Sequence, residues 1–486
     1  MNTIRECFSL ARGPIRTASV LLLAASVNAQ QPQMPGKAMQ HEHQAPDQVQ
    51  GVEFPRFGRA QMKAGTANLF TLERALETAR QANPTLRQAE AGIRAAEARA
   101  RQAGLYPNPT IGYSGDEIRG GETRAGKQGF FVEQTIVTGG KLSRAREVFR
   151  RETTLAQIEA EEQKIRVETA VRIAFYRVLA AQELADVRAD LAQIAMESLD
   201  TERRLQNAGQ ADETEVLTTE LEARRMKLSA RMMENTLREE WRALASVLGH
   251  PELPLQTVGG DLDRGWPELD EQQVEAVARQ SPATRIAAST ADRANAQLAR
   301  ADREKLPDIV ARAGLDYNHE PLANPLLTTG WQWNAQLAVE LPLFDRNQGN
   351  IAAARSDLER AREEKQRVAL TLRERASTAF DEYANARLSA LEYRDSILPL
   401  AKRSYGLMFE RYGEMLAAFP RVIESKRQLF ELQSEYISAL ETVWTTGLSL
   451  QGFLLTDGLE APTEPGEMDR TIRETNLPTP ERGRLP

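Results

Sequence analysis

The stretch that decides the fold is WQWNAQLAVELPLFDRNQGN, residues 331–350. From Trp331 to Leu343 apolar residues occupy every second position, and most of the residues between them are polar. Alternate side chains of a β-strand lie on opposite faces, so this pattern gives one apolar face and one polar face. Pro342 suits a rigid turn from strand into helix, because proline has a fixed φ and no backbone donor. The sequence therefore predicts a strand over residues 331–343 that leads directly into a helix.

Three further segments show the same alternation. Within each half of the chain, a loop rich in glycine, proline and polar residues separates two such segments, as in a β-hairpin. We therefore expect four strands in two hairpins, each with one apolar face. The other three predicted strands cover residues 109–116, 129–137 and 308–318.

The two hairpins belong to two copies of one larger unit. Each copy opens with a helical pattern that a proline interrupts, at Asn83-Pro84 and at Ser281-Pro282. Each hairpin is followed by a long helical stretch, residues 140–207 and 348–412, which would reach roughly 100 Å at 1.5 Å per residue. A turn and a returning helix complete each copy. A repeat of this length indicates a duplicated half-molecule rather than a solenoid unit.

The segments outside the repeats differ in character. Residues 1–29 carry arginines, a short apolar run and a small-residue cleavage pattern, which are typical of a secretory signal peptide. Retention of the run as a membrane anchor is the alternative. Cys7, the only cysteine in the sequence, precedes the apolar run, so lipidation is not expected. The other boundaries are an extended segment at 30–66, the two repeats at 67–262 and 263–457, and a C-terminal tail at 458–486.

Composition and charge restrict the classes of function. The net charge is −7 and no basic stripe is present, so a nucleic-acid partner is not expected. A charged fraction of 27% with an aromatic fraction of 6% predicts mostly exposed helix and no large compact core. Beyond the signal peptide, no segment has the ~18 consecutive apolar residues of a membrane helix, so strands are the predicted means of crossing a membrane.

The sequence contains no arrangement typical of a catalytic or metal centre. No histidine pairs with a nucleophile, or with a carboxylate at helical metal-site spacing. We therefore predict no enzymatic activity, no resident metal and no cofactor. Loose metal binding by His41-Glu42-His43, near Met34 and Met39, is the alternative to a polar linker. The histidines are His41, His43, His250 and His319.

The apolar face of the four predicted strands requires a covering. One possibility is a small sheet that caps a soluble helical bundle and buries its aromatic residues. The other is a transmembrane sheet, because the charged flanking helices offer no matching core. In lipid an open sheet edge leaves backbone groups unpaired, so other chains must supply further strands. Two chains would give eight strands and a filled barrel, whereas three would give twelve strands and room for passage.

These features resemble the outer-membrane factor family, the TolC-like channels of tripartite efflux pumps. The resemblance covers residues 68–457 and includes Asn83-Pro84 and the duplication. The glycine-lysine segment and the segment that begins at Phe344 are most similar to the CzcC-like branch, which exports heavy-metal cations. The other segments that carry the resemblance are residues 102–109, Glu133-Gln134, Gly139-Gly140-Lys141 and residues 341–349.

The resemblance implies a mainly α fold with a trimeric, twelve-stranded transmembrane β-barrel, continued by a long α-helical periplasmic tunnel. It implies a homotrimer in outer-membrane lipid that docks to a periplasmic adaptor, a membrane fusion protein, and through it to an inner-membrane RND-type proton-driven transporter. The chain would then be a passive conduit for heavy-metal cations. The alternatives are a TolC-like channel for drugs or type I protein secretion, and a structural coiled coil or adhesin.

The resemblance also implies positions for functional residues. Tunnels of the family close where the helical hairpins turn, and the acids that could line such a gate are Asp212, Glu213, Glu215 and Glu424. The alternative is that these acids only complement a helix dipole. Adaptor contact at the same hairpin ends points to Arg204, Leu205 and Gly209. The second copy departs from the pattern, with Arg421 where the family often has an acid.

Four aromatic residues lie near the ends of the predicted strands. Aromatic side chains with a polar atom prefer the boundary between membrane and water. The alternative is that they are ordinary core residues of the sheet. The predicted interface aromatics are Tyr113, Tyr317, Trp331 and Trp333.

Overall fold

The computed structural model describes residues 69–118, 126–321, 326, 328–417 and 419–462. The predicted signal peptide, the extended segment with His41 and His43, and most of the C-terminal tail lie outside these residues. Within the described ranges the chain is mainly α-helical, in agreement with that part of the predicted fold class.

The first copy contains a hairpin of two strands between helices. Its elements are α1 Leu72–Ala82, α2 Pro84–Gln102, β1 Thr110–Asp116, β2 Lys127–Ile136, α3 Lys141–Asn207 and α4 Glu213–Val247. Thr71 caps α1, because its side chain accepts a hydrogen bond from the amide of Arg74. Pro84 opens α2 at a position where the backbone N–H of a helix has no intrahelical partner.

The second copy repeats this order. Its elements are α5 Glu271–Gln280, α6 Pro282–Arg303, β3 Ile309–Pro321, β4 Thr328–Val339, α7 Gln348–Glu392, α8 Leu398–Gly413 and α9 Phe419–Gln451. Ser281 caps α6 as Asn83 caps α2. The strand β4 ends at Val339, because its partner there, Ile309, is the first residue of β3.

A single π-helical turn, Tyr393–Ile397, joins α7 to α8. The amide of Leu398 donates to the carbonyl of Tyr393, five residues earlier. Pro399 comes next, and a proline inside an α-helix lacks a donor and clashes with the carbonyl four residues before it. The wider turn accommodates that ring, so the long helix continues past a residue that usually ends one.

The four strands form one antiparallel sheet in the order β1-β2-β3-β4. The hairpins of the two copies join directly, because β2 pairs with β3 from Lys127 opposite Asn318 to Ile136 opposite Ile309. β1 and β4 are therefore the two edges of the sheet.

The helices pack in the same order as the strands to which they connect. Helix α2 leads into β1, β2 leads into α3, α6 leads into β3, and β4 leads into α7. Correspondingly, α2 packs on α3, α3 on α6 and α6 on α7. In the helical hairpins, α4 packs along α3, α3 against α9, and α9 against α8. The helical layer therefore ends in two outer helices, just as the sheet ends in two edge strands.

The helices enclose a large apolar core, so the expectation that no such core would form is wrong. One connected cluster of buried side chains includes Phe175 of α3 and Tyr436 of α9. At its margin the rings of Tyr176 and Trp444 stack with their centroids 3.8 Å apart. The average charge of the chain concealed this core, because apolar residues concentrate in the middle of α3 and in α9. Residues of α1, α4, α5, α7 and α8 and of the segment between the copies complete the cluster.

Asn83, at the first proline break, is buried and connects three segments. Its Oδ1 accepts from the amide of Thr85 at 2.9 Å and so caps α2. Its Nδ2 donates to the carbonyl of Val247 at 2.8 Å and to that of Gly458 at 3.3 Å. This asparagine therefore holds the end of α4 and the segment after α9 beside the start of α2.

Candidate functional site in the sheet and the hairpin tips

One face of the sheet is apolar from edge to edge. Tyr113, Phe130, Leu315 and Trp333 lie opposite one another on the four successive strands. Directly opposed residues share a face of the sheet, so these side chains form one row. All four are exposed, and Trp333 has 81% of its surface accessible. The three aromatic side chains of this row are therefore not core residues of the single chain. Their exposure disfavours the alternative in which the sheet caps a soluble bundle and buries its aromatic residues.

The opposite face of the sheet is polar. One row on it consists of Glu133, Arg312 and Gln336. The guanidinium of Arg312 lies over the ring of Phe131, 3.6 Å from its centroid. Two rows nearer the hairpin loops, the Oγ of Ser114 donates to Asp316 at 3.1 Å. A sheet with one apolar and one polar face suits a wall between hydrocarbon and water.

The four predicted interface aromatics lie near the loop end of the apolar face. Tyr113 and Trp333 belong to one row, and Tyr317 and Trp331 are direct partners in the next row toward the loops. The rings of Tyr317 and Trp331 meet edge to face with their centroids 5.3 Å apart. The structure thus brings these residues together, and their membrane-interface role stays a prediction.

Two further aromatic side chains mark the other end of the sheet, and sequence reasoning missed them. Tyr106 precedes β1 and Phe344 follows β4, with 68% and 91% of their surfaces exposed. The available signal was their position beside Pro107 and Pro342, at the junctions of strand and helix. Neighbouring leucines extend this exposed apolar surface at the end of the sheet opposite the four predicted interface aromatics. These exposed leucines are Leu105, Leu341 and Leu343.

The tip of the first helical hairpin is a tight turn followed by a capped helix. After Asn207, the last residue of α3, Gly209 adopts the left-handed conformation with φ of +74°. The carboxylate of Asp212 accepts from the amide of Glu215 at 2.8 Å, and that of Glu215 accepts from the amide of Asp212 at 3.1 Å. Asp212 and Glu215 therefore form a capping box for α4. Glu213 lies between them, and all three acids are exposed.

The predicted adaptor-contact residues lie at the same turn. The carbonyls of Arg204 and Leu205 both accept from the amide of Ala208 at 3.1 Å, and the Leu205 carbonyl also accepts from Gln210 at 2.8 Å. Arg204 is exposed and Leu205 is half-buried. The turn thus places both residues beside Gly209, and their contact with an adaptor stays a prediction.

The second hairpin turns with the same backbone pattern but different residues. The amide of Leu416 donates to the carbonyl of Arg411, as the amide of Gln210 does to Leu205. By this match Met415 takes the place of Gly209, in the left-handed region with φ of +61°. The helical stretch predicted to end at residue 412 ends one residue later, at Gly413, and the predicted turn follows it.

The acids of the two tips do not correspond. Counting from the matched turns, Arg421 stands where the first hairpin has Glu215. Glu424 is engaged by Arg427, whose Nη2 lies 2.7 Å from its Oε1. The capping box is therefore a feature of the first tip, whereas the described part of the second tip carries an acid already bound to an arginine.

A buried group of carboxylates lies on α3, facing α2 and α6. Glu152, Glu159 and Glu162 are each less than a tenth exposed, and Glu152 pairs with Arg99 at 3.1 Å. Burial, followed by the nearby Glu162 and Glu152, raises the pKa of Glu159 from 4.5 to about 7, while Arg293 opposes this rise. Glu159 is therefore partly protonated at neutral pH.

Neither a membrane-spanning helix nor a metal-binding cluster occurs among the residues that the structure describes. Of the helices found there, none is both long and apolar enough to cross a membrane. Across the same residues, no three histidine, cysteine, aspartate or glutamate side chains are placed to hold a metal ion.

Known proteins resemble this chain in sequence and in fold. Residues 75–250 match the model of the outer membrane efflux protein family. The resemblance to this family is confirmed. The chain is also 24% identical over 320 residues to the cobalt-zinc-cadmium resistance protein CzcC of Cupriavidus metallidurans, a match that covers 65% of this chain and 74% of CzcC.

Solved structures with similar folds are outer-membrane proteins. The outer membrane protein VceC of Vibrio cholerae matches with a TM-score of 0.63 and 16% identity, over 80% of this chain and 97% of VceC. The CmeC outer membrane channel of Campylobacter jejuni matches with a TM-score of 0.62 and 16% identity, over 83% of this chain and 90% of CmeC. The described chain therefore shares the fold of these two outer-membrane proteins.

Proposed function

We propose that this chain is the outer-membrane channel of a tripartite efflux pump, in which three copies form one passive conduit. The observation that carries the proposal is the sheet, with four strands, two open edges, an exposed apolar face and a polar face. Hydrocarbon against the apolar face and water against the polar face would satisfy both surfaces.

The open edges support a shared barrel. In lipid each unpaired backbone group is destabilising by several kcal/mol, so β1 and β4 must find partners. In the order β1-β2-β3-β4 with antiparallel neighbours, β1 and β4 run in opposite directions. β4 of one copy therefore suits antiparallel pairing with β1 of the next. Three copies supply twelve strands, the smallest number from this unit that leaves an open lumen.

The helices would continue the wall of the barrel beyond the strands. Because they pack in the order of the strands, a closed ring of strands would continue into a closed ring of helices. Helix α3 alone has 67 residues, or roughly 100 Å at 1.5 Å per residue. The barrel would lie in the outer membrane and the helices in the periplasm, after export by the predicted signal peptide.

A conduit of this kind needs partners, because the described residues suggest no means of driving transport. We infer a periplasmic adaptor at the hairpin tips, with Arg204, Leu205 and Gly209 among its contacts, and an inner-membrane RND-type proton-driven transporter beyond it. Three copies of the tip acids around one axis would favour cations electrostatically.

The proposed cargo is heavy-metal cations. The similarity to CzcC supports this cargo, together with the sequence at Gly139-Gly140-Lys141 and at residues 344–349. Export of drugs or of secreted proteins is the second candidate, and the fold is compatible with both.

Growth of a deletion strain distinguishes these cargoes. We expect the strain to lose tolerance to cobalt, zinc or cadmium salts and to regain it when the intact gene is supplied. Tolerance to lipophilic drugs should change little. Loss of drug tolerance with unchanged metal tolerance would refute the metal assignment and favour the alternative.

A further inference from the structure

We propose that Phe131 holds the guanidinium of Arg312 against the wall of the barrel, away from Glu133, and that this separation of charges strengthens the preference of the barrel for cations. All three residues lie on the polar face of the sheet. The inference rests on the channel proposed above, in which this face lines the lumen. Phe131 is then a positioning residue, because its ring acts on passing ions only through Arg312.

Phe131 differs in character from the rest of the polar face. In the described part of the four strands it is the only aromatic residue on that face. Packing among apolar side chains does not explain its presence, because its direct partners on β1 and β3 are Gly112 and Gly314. The side chain is nevertheless half-buried. Its surroundings are therefore the backbone of the sheet and the side chain of Arg312.

Gly112 provides the space in which the ring lies. A β-carbon added at Gly112 would lie 2.5 Å from Cζ and 2.6 Å from Cε1 of Phe131, which is closer than a side chain can approach. Glycine weakens the interior of a strand, and the close approach of another group is a common reason for its presence there. The ring thus lies along the wall at β1, in the volume that any other residue at position 112 would occupy.

Arg312 lies against the face of this ring. The Cζ atom of its guanidinium is 3.6 Å from the ring centroid, a distance typical of a stacked cation–π contact. The same arginine is directly opposite Glu133 on the neighbouring strand. Opposite charges at such positions are within reach of an ion pair. Among the described residues, however, these two side chains form no ion pair, so the guanidinium is stacked on Phe131 instead.

The position of one guanidinium matters because the polar face carries few charges. Lys127 lies directly opposite Asp116, and Asp316 accepts hydrogen bonds from the neutral groups of Ser114 and Asn334. A guanidinium paired with Glu133 would neutralise a carboxylate that otherwise attracts cations into the lumen. In the described part of the strands, the charged residues of this face are Asp116, Glu133, Asp316, Lys127 and Arg312.

The attraction of the guanidinium depends on the aromatic ring itself. A cation is drawn to the electron-rich face of the ring, and an aliphatic side chain has no such face. Phe131→Leu therefore keeps an apolar side chain over Gly112 but loses the hold on Arg312. Phe131→Tyr keeps the ring and the contact. These two variants separate the role of the ring in charge placement from its role in packing.

The ratio of potassium to chloride permeability, recorded from trimers in planar bilayers, tests the inference. We expect Phe131→Leu to lower this ratio roughly two-fold, because Arg312 becomes free to pair with Glu133 or to enter the lumen. Phe131→Tyr should keep the unsubstituted ratio. The matched control is Phe130→Leu, on the apolar face, which should not change the ratio. The difference should be present in 0.1 M salt, where the Debye length is about 10 Å, and absent in 1 M salt, where it is about 3 Å.

Two further variants show whether the effect passes through Arg312. In an Arg312→Gln background, Phe131→Leu should leave the permeability ratio unchanged, because the ring then has no charge to hold. Gly112→Ala should lower the ratio as Phe131→Leu does, since the added β-carbon displaces the ring while both partners of the stack remain. Where Phe131→Leu forms too few trimers to record, Gly112→Ala takes its place in every comparison.

The outcomes distinguish this inference from the channel proposal. A lower ratio in Phe131→Leu that is absent from the Arg312→Gln background supports the inference. An unchanged ratio in conducting Phe131→Leu trimers refutes it and leaves the channel proposal intact. An equal decrease with and without Arg312 also refutes it, because the ring would then act through packing alone. Unsubstituted trimers that insert into the bilayer without conducting refute the proposed function itself.

Discussion

Phe130 of β2 lies directly opposite Leu315 of β3, so the two copies of the repeat meet in one sheet with their apolar faces aligned. A shift of the register by a single residue would place Leu315 on the polar side. The pairing therefore fixes one continuous apolar surface from Tyr113 to Trp333. This surface is the part of the molecule for which the proposed membrane location makes the sharpest predictions.

A new charge should have a large effect at one residue of β4 and little effect at the adjacent residue. Leu337 lies on the apolar face and Gln336 on the polar face. At a lipid-facing position near the bilayer midplane, arginine or lysine is destabilising by about 2–4 kcal/mol and aspartate by somewhat less, whereas a charge facing the lumen has little effect. We expect Leu337→Asp to reduce the amount of trimer in the outer membrane several-fold and Gln336→Asp to leave it close to the unsubstituted level. Immunoblots of fractionated membranes measure both, and equal levels of the two variants would contradict the assignment of the faces.

The stability of the helical region should depend on the ionisation of Glu159. Because its pKa is raised from 4.5 to about 7, the folded state binds the proton more tightly than the unfolded state. The stabilisation is fully present below pH 4.5 and is lost as the pH rises toward and through 7. At 1.36 kcal/mol per pKa unit, the difference reaches about 3 kcal/mol.

Glu159→Gln should therefore raise the apparent melting temperature at pH 8 and change it little at pH 5. The control is Glu161→Gln, because Glu161 is exposed two residues away and pairs with Arg285 at 2.8 Å. We expect no comparable pH dependence for that variant. A melting temperature of Glu159→Gln that follows the unsubstituted protein at both pH values would contradict the prediction.

The tip acids should set ion preference without being needed for the fold. Asn is as good an N-cap as Asp, so Asp212→Asn removes the charge while it keeps the cap. We expect this change, combined with Glu213→Gln, Glu215→Gln and Glu424→Gln, to lower the ratio of cation to anion permeability several-fold in a bilayer recording. Glu234→Gln, an exposed acid farther along α4, is the control and should not alter the ratio. An unchanged permeability ratio in the combined variant would contradict the proposal that these acids form a cation-favouring gate.

The two proline breaks should differ in their importance. Asn83→Ala removes the cap of α2 and leaves the buried carbonyls of Val247 and Gly458 without that donor. We expect destabilisation of about 2–4 kcal/mol from these losses. Ser281→Ala removes a helix cap alone and should be destabilising by about 1 kcal/mol. Limited proteolysis and apparent melting temperatures measure both variants, and equal effects would show that the tertiary contacts of Asn83 contribute little.

Features encoded in neighbouring residues could be predicted from the sequence. Pro84 and Pro282 mark helix starts, and the alternation around Leu337 marks a strand, because each depends on the local backbone. The contacts of Asn83 could not be predicted, since its partners lie 164 and 375 residues away. The apolar core was missed for a related reason, because a charge average over the whole chain does not show where apolar residues gather.

At the candidate site, local signals gave the position of a feature but not all of its details. The predicted turn of the second hairpin is present, but its left-handed residue is Met415, which has no usual preference for positive φ. Asp212 and Glu215 were predicted as gate residues, with interaction with the helix dipole as the alternative, and the structure adds a capping box that was not predicted from the sequence. Tyr106 and Phe344 were not singled out, because their importance depends on exposure at the junction of sheet and helix.

The central claim is that three chains form one water-filled pore, and recording from planar lipid bilayers tests it most directly. Purified protein with the native mass of three chains should produce discrete, voltage-stable conductance steps, and the Leu337→Asp variant should produce far fewer insertions than Gln336→Asp. Folded trimers that insert into the bilayer without conducting, or steps of the same size from single chains, would contradict the account.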